Sequence, residues 1–468
     1  MNFVGNKVEN VKIAYIGGGS RNWGWGLMSD LTSNEEMSGD VYLYDIDFEA
    51  AKDNELIGSM YNDLPEAKSK WGYHAVKTAK EALEGANFVI ISILPGTFDE
   101  MESDVHTPEK YGIYQSVGDT SGPGGVVRAM RTIPMYEEIA ENIKNYCPDA
   151  WVINYTNPMT LCIKTLYRVF PEIKAFGCCH EVFGTQRLLC TALKELKDID
   201  ATRDDIKINP LSVNHFTWIT EAKYRNIDLF PIYAEFAKKY EAGYTKHLED
   251  NWFNDFFSTS HMVKFNLFNK YGYIAAAGDR HLAEFNDGTI FLKDPETVQS
   301  WGFGLTPVSW RKEHLAEKLE ESRQIRAGEK EIELRLTGEE GVNQMRALLG
   351  LSELVTNVNI PNVGQIPNLP LGAVVETNAV FRADTVTPLM AGNIPTEIHP
   401  LVSRICTEQE LISEAIAKRD IQMIFNAFVT DPLVTCSYED AKKLFKEMVL
   451  NTKEYLKDYD LTALDNLK

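Results

Sequence analysis

The chain has 468 residues, 44% of them hydrophobic and 25% charged, and a formal net charge of −21 at pH 7. That length can bury a core for two or three domains, while the acidic balance argues against nucleic-acid and anionic-membrane partners, which need clustered Lys and Arg to replace their counterions. No apolar run approaches the ~20 residues of a membrane span and residues 1–10 carry no signal-peptide core, so a cytoplasmic location is expected.

The β-branched run 11–16 enters Gly17-Gly18-Gly19-Ser20, and 23–31 reads as a helix. A strand, glycine turn and helix in this order set backbone N–H groups and a helix N-terminus against a pyrophosphate. Asn22 stands where the third glycine of the usual fingerprint would be, and such a turn taken alone serves equally as a plain tight turn. Context favours the dinucleotide reading: a second strand, 41–44, ends at Asp45, placed for the adenosine ribose hydroxyls, with Asp47 the alternative. An acid there selects NAD over NADP, whose 2′-phosphate it would repel.

A helix over 48–61 and strands over 74–78 and 87–94 continue the alternation, and Pro95-Gly96 ends the last of these. The segment 111–125, with Gly118-Asp119-Thr120 and Gly122-Pro123-Gly124-Gly125, is too glycine-rich for a core element and is expected to be a loop that closes over a ligand. A helix over 126–146 carries Arg128 and Arg131. Strand 151–155 is stopped by Thr156-Asn157-Pro158, helix 159–170 follows, and strand 173–177 brings the count of parallel strands to about six, a complete dinucleotide-binding sheet.

That last strand runs into Gly177-Cys178-Cys179-His180-Glu181-Val182-Phe183-Gly184, which offers a thiol, an imidazole and a carboxylate. If the strand persists, Cys178 and Cys179 point to opposite faces. Seven cysteines scattered through a long chain do not make a disulfide framework. Cys147, Cys162, Cys190, Cys406 and Cys436 read as buried small apolar residues.

Beyond Asp198 the pattern changes. Residues 206–227 alternate like antiparallel strands around Asn214-His215-Phe216, 232–270 is aromatic and helical in period, and 275–281 is a small-residue loop that ends in Asp279, Arg280 and His281. An exposed charged helix is expected over 315–331, a helix over 341–354, an extended turn-rich stretch over 357–370 leading into 373–376, and a helical region to about residue 456. The expected fold is α/β: a Rossmann-type doubly wound parallel sheet in a domain of residues 1–198, with a C-terminal α+β catalytic domain of residues 199–468 that holds substrate and metal.

With these residues in order, the chain resembles glycoside hydrolase family four, NAD- and metal-dependent glycosidases with a fold related to lactate and malate dehydrogenases. The likeness covers nearly the whole chain and rests on Gly17-Gly18-Gly19-Ser20, Asn157-Pro158, the Cys-His motif, Asn214-His215 and the stretch 359–376. Cys179-His180-Glu181-Val182 is similar to the version in the family's α-galacturonidases, which implies a small α-linked galacturonide from pectin as substrate. The family departs from the two-carboxylate scheme of most glycosidases. A hydride passes from C3 of the sugar to NAD⁺, a base removes the acidified C2 proton, the glycosidic oxygen leaves from C1, water adds, and the hydride returns.

The resemblance implies Cys179 and His215 as ligands of a divalent ion, with coordination positions left for two sugar oxygens. It implies Mn²⁺, although zinc binds a sulfur and nitrogen site more tightly. Asp279 is implied as the C2 base, and Asp119 is the candidate acid for the leaving oxygen. Asn157 is expected to hold a sugar hydroxyl and Asn154 the nicotinamide ribose. His180 and Glu181 are expected to contact substrate, Glu181 alternatively bonding a metal ligand from behind. For a uronate carboxylate the leading residue is Arg280, followed by Arg311 and Arg128. Relatives imply a homodimer or homotetramer. The alternatives are another sugar specificity in the family, a malate-type dehydrogenase, and a redox-sensing NAD-binding protein.

Overall fold

The computed structural model describes residues 1–246, 248 and 256–468. Its strands are β1 Asn2–Val4, β2 Lys7–Ile16, β3 Met37–Tyr44, β4 Trp71–Val76, β5 Phe88–Ile91, β6 Trp151–Asn154, β7 Lys174–Gly177, β8 Ile206–Ser212, β9 Trp218–Tyr224, β10 Ile227–Asp228, β11 Ile274–Ala275, β12 Leu354–Pro361, β13 Val374–Arg382 and β14 Thr385–Pro388. The helices that position the site are α1 Trp23–Thr32, α2 Phe48–Tyr61, α3 Ala79–Leu83, α4 Phe98–His106, α5 Gly122–Tyr146, α6 Met159–Val169, α7 Glu181–Lys197, α8 Phe230–Lys239, α9 Met262–Tyr271 and α10 Asp279–Glu284.

Strands β4-β3-β2-β5-β6-β7 lie side by side and run parallel. This is the doubly wound nucleotide-binding order, with its switch point between β2 and β5. One face is covered by α1, α2 and the helix Gly341–Leu348, around Ile13, Tyr15, Leu43, Phe88 and Ile90. The other is covered by α3, α5 and α6, around Ala14, Ile16, Val89, Ile91 and Val152. Alternate residues of the same strands feed opposite cores, as the period of two requires, and burial on both faces explains why these strands read as continuous apolar runs.

The sheet does not stop at residue 198. β12 pairs antiparallel with β7 through Asn359 and Gly177, and β13, β8, β9 and β10 continue outward, so 14 strands form one sheet. The C-terminal helices His399–Ala417, Ile421–Phe428 and Tyr438–Asn451 pack against α5 in the largest core cluster, which also holds Phe216, Trp218 and Phe285. The stretch 357–370, expected to be extended, forms β12 and the turn after it. Within the aromatic region 232–270, α8 and α9 are helical as expected, while residues 247 and 249–255 lie outside the described ones. No helix among the described residues is long and apolar enough to cross a membrane.

One expectation fails instructively. Gly122 to Gly125 are not loop but the buried first turn of the 25-residue helix α5. A Cβ on Gly124 would stand 2.6 Å from the Gly118 carbonyl oxygen, and one on Gly125 2.6 Å from the Thr120 carbonyl carbon. These glycines let a helix start pass against backbone, which is close approach rather than flexibility. The cysteines are all free; Cys147, Cys162 and Cys406 are buried as expected, while Cys190 and Cys436 are half-buried.

Candidate active site

The glycine turn is built by exclusion. Gly17 has φ +92°, and a Cβ there would lie 2.0 Å from the Ser92 carbonyl oxygen, while one on Gly18 would meet Leu43 Cα at 2.8 Å. Asn54 Nδ2 donates to the carbonyls of Gly18 and Ser20, at 2.8 and 3.0 Å, which fixes the turn from below. No side chain caps the start of α1, so its first N–H groups are left for an anion. Asp45 at the end of β3 accepts from Gly19 N at 2.9 Å with one carboxylate oxygen and from Asp47 N with the other. Asp47, the alternative ribose ligand, instead caps α2 by accepting from Ala50 N. The residues present fit a dinucleotide.

The loaded motif opens where β7 ends. Cys178 joins the core on the α1 face and Cys179 the core on the α6 face, as strand alternation requires. Cys179 Sγ faces His215 Nδ1 at 3.9 Å. Two ligands of one tetrahedral ion, ~2.3 Å from sulfur and ~2.0 Å from nitrogen, would sit roughly 3.6 Å apart, so a small closure suffices. His215 Nε2 is buried and has no hydrogen-bond partner among the described residues. Burial, reinforced by His281, holds His215 down to about 3, so its ring is neutral and offers a lone pair. Burial, then Glu376 and Glu181, pushes the Cys179 thiol up; a cation would invert that by binding the thiolate. No cluster of three or more His, Cys, Asp or Glu suited to a metal occurs among the described residues. The donor set fits an ion held by two protein ligands that leaves room for substrate oxygens.

One buried carboxylate sets both ligands. Glu376 on β13 accepts from Asn357 Nδ2 at 2.7 Å, whose amide also donates to the Cys179 carbonyl at 3.1 Å. Its other oxygen accepts from Asn214 Nδ2 at 3.2 Å and from the Thr217 hydroxyl, bracketing His215.

Around this pair stand Asp119, Glu181, His180, Asn157 and His281. The His281 ring stacks on His215 with centroids 4.1 Å apart, and Glu181, first residue of α7, accepts from Gly278 N at 2.7 Å and lies 3.9 Å from His281 Nε2. Burial would raise Glu181, but His281, His215 and His180 hold it at about 2. Asn157 Nδ2 donates to Asp119 Oδ2 at 3.2 Å and its own Oδ1 is buried without a partner. His180 is half-exposed, its Nδ1 3.0 Å from Glu339 Oε1, and its ring 6.0 Å from Trp23 at the mouth of a cavity of about 320 Å³ lined by Trp23, Tyr155 and Glu339.

Two expected residues, Asp119 and Asn154, sit differently from what their expected roles require, whereas Asp279 does not. Asp119 is half-buried, and although desolvation would raise it, the Arg128 charge first, and then His281 and His215 in their protonated forms, bring it down to about 2, a direction that opposes proton donation. Asn154 Oδ1 accepts from the Tyr136 hydroxyl and from Thr156 N at 3.1 Å, and its Nδ2 donates to the Thr156 carbonyl at 3.0 Å, so its amide is turned inward rather than toward a ribose. Asp279 is fully buried at the N-terminus of α9, accepting from Val263 N at 3.3 Å and Lys264 N at 3.1 Å. Burial pushes it up to about 6, a value suited to a base near neutral pH.

Arg280 donates to the Ser116 carbonyl at 2.6 Å and to the Thr306 hydroxyl, and its Nε has no hydrogen-bond partner among the described residues. Burial and then the Arg311 charge bring it down to about 10. Sequence reasoning missed His281, Glu376 and Lys264. His281 stood beside a predicted site residue, but nothing local distinguished the other two from core residues.

Two family models cover most of the chain: the family 4 glycosyl hydrolase model matches residues 12–195, and the model of that family's C-terminal domain matches residues 212–434. The chain belongs to glycosyl hydrolase family 4. This family 4 enzyme is 59% identical to an alpha-galacturonidase of Thermoanaerobacterium saccharolyticum over 99% of this chain and 100% of that protein. It is 51% identical to an alpha-galacturonidase of Bacillus subtilis over 94% and 97%. The solved structure of the lplD protein of Bacillus subtilis matches with a TM-score of 0.89 at 51% identity, covering 94% of this chain and 100% of that one. At 22% identity, a 6-phospho-beta glucosidase of Thermotoga maritima, solved with manganese, NAD⁺ and glucose-6-phosphate, shares the fold with a TM-score of 0.75 over 95% and 99%.

Proposed function

We propose that this chain is a cytoplasmic α-galacturonidase that cleaves small α-galacturonides with NAD⁺ and a divalent ion, Mn²⁺ by analogy with relatives, as a homodimer or homotetramer. The observation that carries the reading is Cys179 Sγ facing, at 3.9 Å, a neutral His215 whose Nε2 has no hydrogen-bond partner among the described residues, at the carboxyl edge of a dinucleotide-binding sheet. Identities of 51 to 59% with alpha-galacturonidases over nearly the full chain support the sugar.

When bound, the dinucleotide supplies a hydride acceptor for C3 and the ion a Lewis acid that acidifies the C2 proton. Gly17, Gly18, Gly19 and Ser20 would cradle the pyrophosphate and Asp45 the adenosine ribose. Cys179 and His215 would hold the ion, with Glu376 fixing their orientation from behind. Asp279 accepts the C2 proton. Asn157, through its free Oδ1, takes a sugar hydroxyl. Asp119, drawn toward its anionic form by Arg128, accepts from a second hydroxyl, and the leaving oxygen takes its proton from water. His180 and Glu181 border the sugar, Glu181 keeping His281 in place. The uronate carboxylate falls to Arg280 and Arg311, whose guanidinium carbons lie 4.9 and 5.9 Å from the centre of the Phe257 ring. Arg311 makes no hydrogen bond or ion pair among the described residues, so its planar fork is available.

Incubation with digalacturonate, NAD⁺, Mn²⁺ and reductant should release galacturonate without net NADH, and in D₂O the product should carry deuterium at C2. Product free of C2 deuterium would sink the elimination route, and stoichiometric NADH would mark a dehydrogenase instead. Light scattering checks the oligomer.

A further inference from the structure

Lys264 is the buried charge that the reading above leaves without a task. The residue is 2% exposed, and its ammonium donates to the Thr185 hydroxyl at 2.7 Å. Among the described residues that hydroxyl is the one hydrogen-bond partner the ammonium has. A buried cation with a single neutral acceptor is costly, and an apolar side chain of the same length would pack there more cheaply. The backbone of the same residue ties it to Asp279: Lys264 N and Val263 N donate to the Asp279 carboxylate at the start of the 10-residue helix α9, so the ammonium is carried on the residue that holds this carboxylate, within one side-chain length of it.

We propose that Lys264 is a positioning residue for proton abstraction: its buried ammonium, acting with the N-terminus of α9, keeps the Asp279 carboxylate anionic and ready to accept the C2 proton. The proposal rests on Asp279 being the base. A helix N-terminus alone stabilises an anion only modestly, and Asp279 lies fully buried, where that help has to be supplemented.

The electrostatics agree in direction. Burial pushes Asp279 up to about 6, and the Lys264 charge is the strongest influence against this, followed by the N–H groups of Lys264, Val263 and Met262. Burial brings Lys264 down to about 8, opposed by Asp279 and then Glu181. Other ionisable groups on the elements around Asp279 include Tyr233 on α8, pushed up by burial and then by the Asp279 charge, Glu181 on α7, and His261, the N-cap of α9. Arg280, His281 and Glu284 share its helix, with Arg280 turned to Ser116, His281 stacked on His215 and Glu284 bonded to Val117 N and Gly118 N.

The sign follows. A base must be deprotonated, so C2 exchange should fall as pH drops through about 6 in the wild type. Without the Lys264 charge Asp279 rises further, and the acid limb moves to higher pH. The test is the pH profile of C2 hydrogen exchange in D₂O for the holoenzyme with NAD⁺, Mn²⁺ and digalacturonate. Lys264→Gln keeps a donor for Thr185 and removes the charge, Lys264→Met removes both, and Lys264→Arg retains the charge. The expected result is an acid limb displaced upward by about one unit in the Gln and Met variants, so that exchange falls roughly tenfold at pH 5 and about twofold at pH 7, and is recovered near pH 9. The Arg variant should keep the wild-type limb. A uniform loss at all pH values, or an unmoved limb, would overturn the proposal by leaving Lys264 a structural role only. Failure of both neutral variants to fold where the Arg variant folds would count the same way. Asp279→Asn separates the two ideas: persistent exchange in it removes the base assignment itself, whereas abolished exchange beside an unmoved Lys264→Gln limb removes only the role of Lys264.

Discussion

The parallel and antiparallel halves of the sheet build their sites from different material. In the parallel half the groups that would meet a ligand are backbone: the turn at Gly17 to Gly19 and the uncapped start of α1, with Asp45 and Asn54 bracing them. Around the junction with the antiparallel half the site consists of side chains, Cys179, His215, Asp119, Glu181, Asp279 and His281, all buried or nearly so and drawn from separate segments. Each charge there is set by its neighbours rather than by water. Added atoms should therefore damage the first region, and removed atoms the second.

The largest expected effect tests the second region alone. Cys179→Ser should lower kcat/KM by about a thousandfold, as loss of a ligand to a catalytic ion removes several kcal/mol of transition-state stabilisation. NAD⁺ affinity, read by fluorescence titration, should stay as in the wild type; a parallel fall would show that the two regions are one unit. Glu376→Gln keeps the shape but not the charge that orients both ligands, and should weaken Mn²⁺ binding about 10- to 100-fold by calorimetry.

Gly17→Ala adds one methyl where φ is +92° and the Ser92 carbonyl oxygen is 2.0 Å away. It should cost about 2 kcal/mol of stability and weaken NAD⁺ binding, with Mn²⁺ binding intact. The smallest effect separates two neighbouring acids: Asp47→Ala removes the cap of α2 and should cost about 1 kcal/mol in urea unfolding with NAD⁺ affinity unchanged. A fall in NAD⁺ affinity there would return Asp47 to the ribose.

Much of the first region was legible because its signals are local. A glycine turn between a β-branched strand and a helix, and an acid at the end of the next strand, lie within a few dozen residues and answer to backbone sterics. The same local logic misled at Gly122 to Gly125, since glycine marks close backbone approach as readily as it marks a loop. In the second region the motif around Cys179 announced itself, and the pairing with His215 came from the family likeness. The charge states did not come from either. Asp119 looked like an available acid, and only the placement of the Arg128 guanidinium near it favours its anionic form.

By itself the sequence determined the order of strands and helices, the dinucleotide turn, and through its motifs the family, because period, turn chemistry and short-range sterics are properties of neighbouring residues. The tertiary structure alone decided that one sheet runs through both expected domains, that Glu376 aligns Cys179 with His215, that Asn154 turns inward, and that Lys264 is buried beside Asp279. The physical reason is that burial and Coulomb interaction depend on distance in space, and the residues that set each proton here come together only when the chain has folded.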